Sequence, residues 1–127
     1  MVLKSYAKIN LTLSINNKLK SGLHNIQSIY CLINLHDKIF LKKNKNKYFD
    51  QVSFTGPFSK DINKSNNSVK KVLKVMRKNK IIHDYYSIKV NKKIPVFAGL
   101  GGGTSNAATL LKHLIKKKSL NKKILSK

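Results

Sequence analysis

Apolar and polar residues alternate from Lys8 to Ile15: Ile9, Leu11, Leu13 and Ile15 fall on one side, Lys8, Asn10, Thr12 and Ser14 on the other. That period of two predicts a strand with one buried face, and it sets Lys8 and Asn10 together on the polar face. Asn16 to Gly22 is a polar, turn-forming stretch. Ile26, Ile29, Tyr30 and Ile33 then restore a β-branched and aromatic run between Asn25 and Leu35. Together these segments predict a hairpin or a loop-linked antiparallel pair. Asp37 to Leu41 predicts another short strand, and KKNKNK at 42–47 a solvated loop. Gln51 to Thr55 predicts a further strand, closed by Gly56 and Pro57.

From Asn66 the period lengthens. Val69, Val72, Leu73 and Met76 recur at helical spacing, with Lys70, Lys71, Lys74, Arg77 and Lys78 opposite and Asn67 or Ser68 in the N-cap position. Tyr85 to Val90 predicts a strand. Beyond a run of glycines, Ala107, Leu110, Leu111, Leu114 and Ile115 form a second helical stripe that starts near Thr104. The tail, Lys116 to Lys127, predicts a basic segment that is frayed or only loosely helical. This order predicts an α+β two-layer domain with a mixed or antiparallel sheet and helices on one face, not regular βαβ winding.

A chain of 127 residues with 41% apolar content holds one domain and one core. Its apolar runs fall far short of the roughly 20 residues a spanning helix needs. Lysine and asparagine also interrupt the opening segment, where a signal peptide needs a continuous apolar stretch. No membrane, a cytoplasmic location (or the stroma of a plastid-type organelle) and a reducing compartment are therefore expected. Cys31 is the one cysteine, and no Cys/His cluster has zinc spacing, so no metal site is expected.

Lys plus Arg number 27 against 4 acids, a net charge of +23, which attracts nucleic acid and other polyanions non-specifically. Only Arg77 is arginine, however, although phosphate and guanine recognition favours the planar guanidinium. Lys, Asn and Ile all have A/T-rich codons, so base-biased drift explains the charge without a partner. The acids are Asp37, Asp50, Asp61 and Asp84, read as loop or strand-edge residues with no paired arrangement, and none follows Asp84.

The segment Pro95 to Ala108, PVFAGLGGGTSNAA, carries the most chemistry. Gly99, Gly101, Gly102 and Gly103 allow positive φ and close backbone approach, and a helical pattern follows directly. Consecutive amides there can converge on an anion, and a helix N-terminus adds roughly half a positive charge. Thr104 and Ser105 can cap the helix, ligate phosphate, or meet a magnesium ion carried by a nucleotide. A glycine-rich turn with an ordinary hydroxyl cap is the simpler alternative. Walker A is excluded because Thr104 stands where its lysine belongs, and GxGxxG because Thr104 takes its third glycine.

PVFAGLGGGTSNAA resembles the second motif of the GHMP small-molecule kinases, in which Pro-x-x-x-Gly-Leu-Gly opens the ATP loop. SYAKINLTLSI at 5–15, the triplet Gly22-Leu23-His24 and GLGGGTSNAA at 99–108 are similar, more narrowly, to members of that family in non-mevalonate isoprenoid biosynthesis. Those members phosphorylate the 2-hydroxyl of a cytidine-diphosphate-linked sugar alcohol. The resemblance implies a kinase whose site lies between two α+β lobes, and residues 1–127 would form the N-terminal lobe alone.

By the same resemblance, Lys8 matches an active-site lysine, Asn10 a substrate-contacting asparagine and His24 a residue that hydrogen-bonds cytosine. Pro95, Val96, Phe97, Ala98, Gly99, Leu100, Gly101, Gly102, Gly103, Thr104 and Ser105 match the ATP loop, with magnesium expected to accompany the nucleotide. Asn67 aligns with an asparagine near the nucleotide, though an N-cap needs no further role. Two departures stand out. Leu23 replaces a tyrosine that stacks on cytosine, so the acceptor is less securely implied. The family's catalytic aspartate, in a Gly-Ala-Asp-Val-Pro stretch, is not reached by Lys127, so the chain alone is expected to be nearly silent, with a separate C-terminal half as an expected partner. The competing expectation is a basic RNA-binding or polyanion-binding module without catalysis.

Overall fold

The computed structural model describes residues 1–45 and 48–125, with 117–125 as backbone alone. Strand β1 (Val2–Lys18) and strand β2 (His24–Asn44) form a long antiparallel pair; β3 (Gln51–Thr55), α1 (Ser68–Lys78), β4 (Tyr85–Asn91) and α2 (Gly102–Leu125) follow. The sheet order is β1-β2-β4-β3, with β4 antiparallel to β2 and parallel to β3. The fold is thus α+β with a mixed four-stranded sheet, as the patterning predicts.

The α1 stripe packs as its period requires: Val69, Leu73 and Met76 are buried against Ile39 and Leu41 of β2 and Ile88 and Val90 of β4. Leu110 and Leu114 of α2 complete the same core, so both helices meet one cluster. Asn67 is the N-cap of α1, its side chain accepting from the Lys70 amide at 3.0 Å. The one arginine is committed inside the fold. Arg77 holds the Asp50 carboxylate at 2.9 and 3.1 Å and lies 4.2 Å from the Tyr85 ring centroid.

Four local expectations need correction. The segments 25–35 and 37–41 are one continuous strand, not two, because the β1 partnership runs on through His36, whose ring packs on Tyr6 at 5.2 Å. Lys42 to Asn44 extend that strand rather than looping; they pair with Ser87, Tyr86 and Tyr85, and Lys43 reaches Asp84 at 2.7 Å. Ladder hydrogen bonds need no apolar side chain, and lysine stems let the charge stay wet. Asn46 and Lys47 lie outside the described residues. The backbone of the tail stays helical through Leu125, while Ser126 and Lys127 lie outside the described residues.

The fourth correction concerns the predicted buried face of β1. Leu11, Leu13 and Ile15 are 63%, 53% and 62% exposed, and Ile26, Ile29 and Leu32 on β2 are no better covered. Only residues 38–44 of β2 pair with β4, so beyond them the hairpin is a two-stranded arm with no third strand. A ribbon of two strands has no interior, whatever its side-chain period.

Tyr86, buried beside Asp50 and Asp84, tests the packing. Burial pushes its phenol above the ordinary 10.0, Asp84 adding to the rise and Arg77 opposing it. A raised folded value means stability is fully present below pH 10 and is lost as pH climbs through the raised value. In urea unfolding between pH 9 and 12, Tyr86→Phe is expected to flatten that alkaline loss by up to about one proton's slope.

Candidate functional site

Strand β4 ends at Asn91, and the chain turns through Lys92 to Gly101 before α2 begins at Gly102. Phe97, Gly99 and Gly101 have φ of 63°, 72° and 69°, so the turn is built on left-handed backbone. Of the four glycines that allow positive φ or close approach, Gly99 and Gly101 use the former, while Gly102 and Gly103 form the first helical turn. The helix thus starts earlier than the expected Thr104. Gly102 needs its hydrogen for a different reason. A Cβ there would stand 2.9 Å from Ile94 Cγ2 and 3.2 Å from Lys92 Nζ.

The Ser105 amide donates to the Gly101 carbonyl at 2.8 Å, which leaves the amides of Gly102, Gly103 and Thr104 without partners inside the helix. No acidic residue stands in that first turn. The positive end of α2 therefore carries no acid of its own, a condition under which a helix start takes an anion. It opens on a cleft of about 430 Å³ lined by the loop, by Thr104 and by Asn63, Asn66 and Asn67 from the segment before α1.

Thr104 lines the cleft, but Ser105 does not serve it. Ser105 Oγ donates to the Tyr6 carbonyl at 2.7 Å and accepts from Ser5 Oγ at 2.9 Å, which ties α2 to β1. Lys8 does meet the loop. Its amide donates to the Leu100 carbonyl at 3.1 Å, and its side-chain carbons lie 3.2–3.7 Å from where a Gly101 Cβ would be. Lys8 Nζ lies 5.5 Å from the Tyr30 ring centroid, and Asn10 pairs with Tyr30 two residues further along β1.

His24 is not brought to this cluster. It pairs with Lys18 at the tip of the arm, ten residues from Lys8 and so about 30 Å away along an extended strand. Leu23, beside it, is 68% exposed.

Three residues of the site escaped the pattern reading. Asp37 is not at a strand edge; it is fully buried in mid-β2, with its Oδ1 accepting from the amides of Lys93 at 2.7 Å and Ile94 at 2.9 Å. Its Oδ2 accepts from Lys92 Nζ and, at 3.0 Å, from Asn106 Nδ2. Lys92 and Asn106 are buried with it. The signal was present: Asp37 is the one acid in a 21-residue strand, at a position that alternation assigns to the core. Lys92 beside Lys93 gave no such signal, because which of two adjacent lysines turns inward depends on where β4 ends.

Residues 67–126 match the family described as the GHMP kinases N terminal domain. Among relatives, the chain is 46% identical over 117 residues to the 4-diphosphocytidyl-2-C-methyl-D-erythritol kinase of Pelagibacter ubique (strain HTCC1062), covering 91% of this chain and 41% of that protein. It is 37% identical over 121 residues to the kinase of the same name from Finegoldia magna, covering 95% of this chain and 42% of that protein. A crystal structure of 4-(cytidine 5'-diphospho)-2C-methyl-D-erythritol kinase superposes with a TM-score of 0.65 at 26% identity, over 90% of this chain and 39% of the other. Homoserine kinase from Cytophaga hutchinsonii shares the fold, with a TM-score of 0.54 at 18% identity over 87% of this chain and 32% of that one. The chain spans about two fifths of the length of these relatives.

Gly101 and Gly103 separate the loop's conformational demand from ordinary helix propensity. A Gly103 Cβ would meet only Ser68 Oγ, at 3.4 Å, in helical backbone, whereas Gly101 is left-handed and packed on Lys8. Gly103→Ala is expected to stabilise by about 0.4–1 kcal/mol and Gly101→Ala to destabilise by about 1 kcal/mol or more, read from thermal or urea unfolding.

Proposed function

We propose that the chain is the nucleotide-loop portion of an ATP-dependent kinase that phosphorylates the 2-hydroxyl of 4-diphosphocytidyl-2-C-methyl-D-erythritol, in isoprenoid (terpenoid) biosynthesis. One observation carries this reading: the start of α2, with no acid in its first turn and three amides unpaired within the helix, opens on a cleft lined by the glycine loop, whose Gly101 packs on Lys8. Pro95 to Ser105 then form the ATP loop. Phosphate oxygens take the amides of Gly102, Gly103 and Thr104, and the absence of a Cβ at Gly102 keeps Ile94 and Lys92 packed beneath them. Ser105 serves by tying the helix start to β1 rather than by touching the nucleotide.

Lys8, the catalytic residue, offsets the charge that develops as the terminal phosphoryl group moves from the bridging oxygen of ATP to the acceptor oxygen. Asn10 contacts the acceptor from the same strand. His24 contacts the cytosine, which requires the acceptor to lie along the arm or the arm to bend toward the loop. Magnesium fits as an ion carried on the phosphates: among the described residues no three His, Cys, Asp or Glu gather, and the cleft offers Asp61 and the Thr104 hydroxyl as oxygen ligands. Magnesium supplies charge neutralisation on the phosphates. The acceptor's proton goes to a carboxylate in the part of the kinase that this chain does not match. Among the described residues no helix is long and apolar enough to cross a membrane.

The exposed arm takes that remaining part as its partner. In a chain of +23, no formally charged residue stands between Ile9 and Asn17 or between Ser21 and His36. Depletion of charge around apolar side chains marks the centre of a covered interface. Mixing the chain with the unmatched C-terminal portion of the Pelagibacter relative is expected to give a complex by size-exclusion chromatography with light scattering. Leu13→Asp with Ile29→Asp is expected to abolish it; self-association of the chain alone through the same residues would refute this partner.

Titration calorimetry tests the loop. ATP binding by the parent chain is expected, and Gly101→Val is expected to abolish it while leaving salt-sensitive binding of RNA intact. ATP binding that survives Gly101→Val, or no ATP binding by the parent chain, overturns the nucleotide-loop reading.

A further inference from the structure

Pro95 to Gly101 contains three left-handed residues and links β4 to α2, so this stretch has no regular hydrogen-bond ladder of its own. Such a segment depends on the anchoring of its two ends, beside the one bond at its middle from the Lys8 amide to the Leu100 carbonyl. The residues directly before it, Lys93 and Ile94, donate their amides to Asp37 Oδ1 at 2.7 and 2.9 Å. Asn106, in the opening turns of the helix that follows, donates its Nδ2 to Asp37 Oδ2 at 3.0 Å. A single carboxylate on β2 therefore straps both ends of the loop to the centre of the sheet. Asp37 is fully buried, Asn106 2% exposed and Lys92 3% exposed, so no water competes for these bonds.

The geometry points to Asp37 as the positioning residue of the nucleotide loop, acting through its acceptor oxygens on residues 93, 94 and 106. This inference rests on the nucleotide-loop reading for its effect on affinity, but not for its effect on loop order. Lys92 has a separate part: it ion-pairs with Oδ2 and balances the buried charge of a carboxylate that accepts four bonds. Asn106 Oδ1 has no hydrogen-bond partner among the described residues, which leaves Asp37 as the group that orients that amide.

A pair of double substitutions separates positioning from charge balance. Asp37→Asn with Lys92→Met removes both charges yet keeps an oxygen that accepts from the two amides. Asp37→Leu with Lys92→Met removes the charges and the acceptor together. Both avoid a lone buried charge. The leucine double is expected to bind ATP at least tenfold more weakly than the asparagine double, and its Lys93 and Ile94 amides to exchange with solvent at least tenfold faster. Equal affinities in the two doubles, or equal exchange at these amides, overturns the inference. If the leucine double does not fold, Asn106→Ala decides. Faster exchange at 102–105 in that variant supports the strap and unchanged exchange refutes it. If the parent chain binds no ATP, the nucleotide reading falls, while the exchange comparison still decides whether Asp37 orders the loop.

Discussion

A carboxylate with no water around it must be given donors, and in this fold Asp37 finds them at the junction where the last strand becomes the last helix. The sheet, the left-handed loop and the start of α2 meet at that one group. Ser105 makes a second tie between α2 and β1, and Lys8 lies against Gly101 from the same strand. The result is a helix start aimed into a cleft, with unpaired amides and no acid of its own, held by bonds that all lie behind it.

The other end of the molecule obeys the opposite constraint. Helices α1 and α2 cover the half of the sheet where four strands lie side by side, and there the core closes. Past Lys8 toward the hairpin tip, β1 and β2 continue as a two-stranded arm, with apolar side chains in water and no formal charge from Ile9 to Asn17 or from Ser21 to His36. A two-stranded ribbon of that length is marginal by itself, so the surface reads as half of an interface. It also carries Asn10 and His24, which ties the acceptor side of the proposed reaction to whatever covers the arm.

Much of this was legible in the chain. Alternation marked β1, the helical stripes marked both helices, and the glycine run marked the loop, because each rests on a local period or a local backbone need. The failures are equally physical. The periodicity of β1 reported which residues share a face, but burial requires a neighbour, and among the described residues no strand pairs with residues 9–17 except β2. KKNKNK looked too polar for a strand because strand propensity scores side chains, while Lys42 to Asn44 are held by ladder bonds. Ser105 looked like a phosphate ligand because a hydroxyl at a helix start usually faces outward; its rotation toward Tyr6 follows from where β1 runs.

The sequence by itself determined the α+β order, the amphipathic faces of α1 and α2, an N-cap at Asn67 or Ser68 and the glycine-built turn, since these depend on spacings within a few residues. Tertiary structure alone decided which acid became the hub and which lysine turned inward. It also decided that the β1 face stays open and that Lys8, ninety-odd residues upstream, lies against the loop. Those outcomes depend on strands meeting across long stretches of chain, and no local pattern records which distant backbone will be there to meet them.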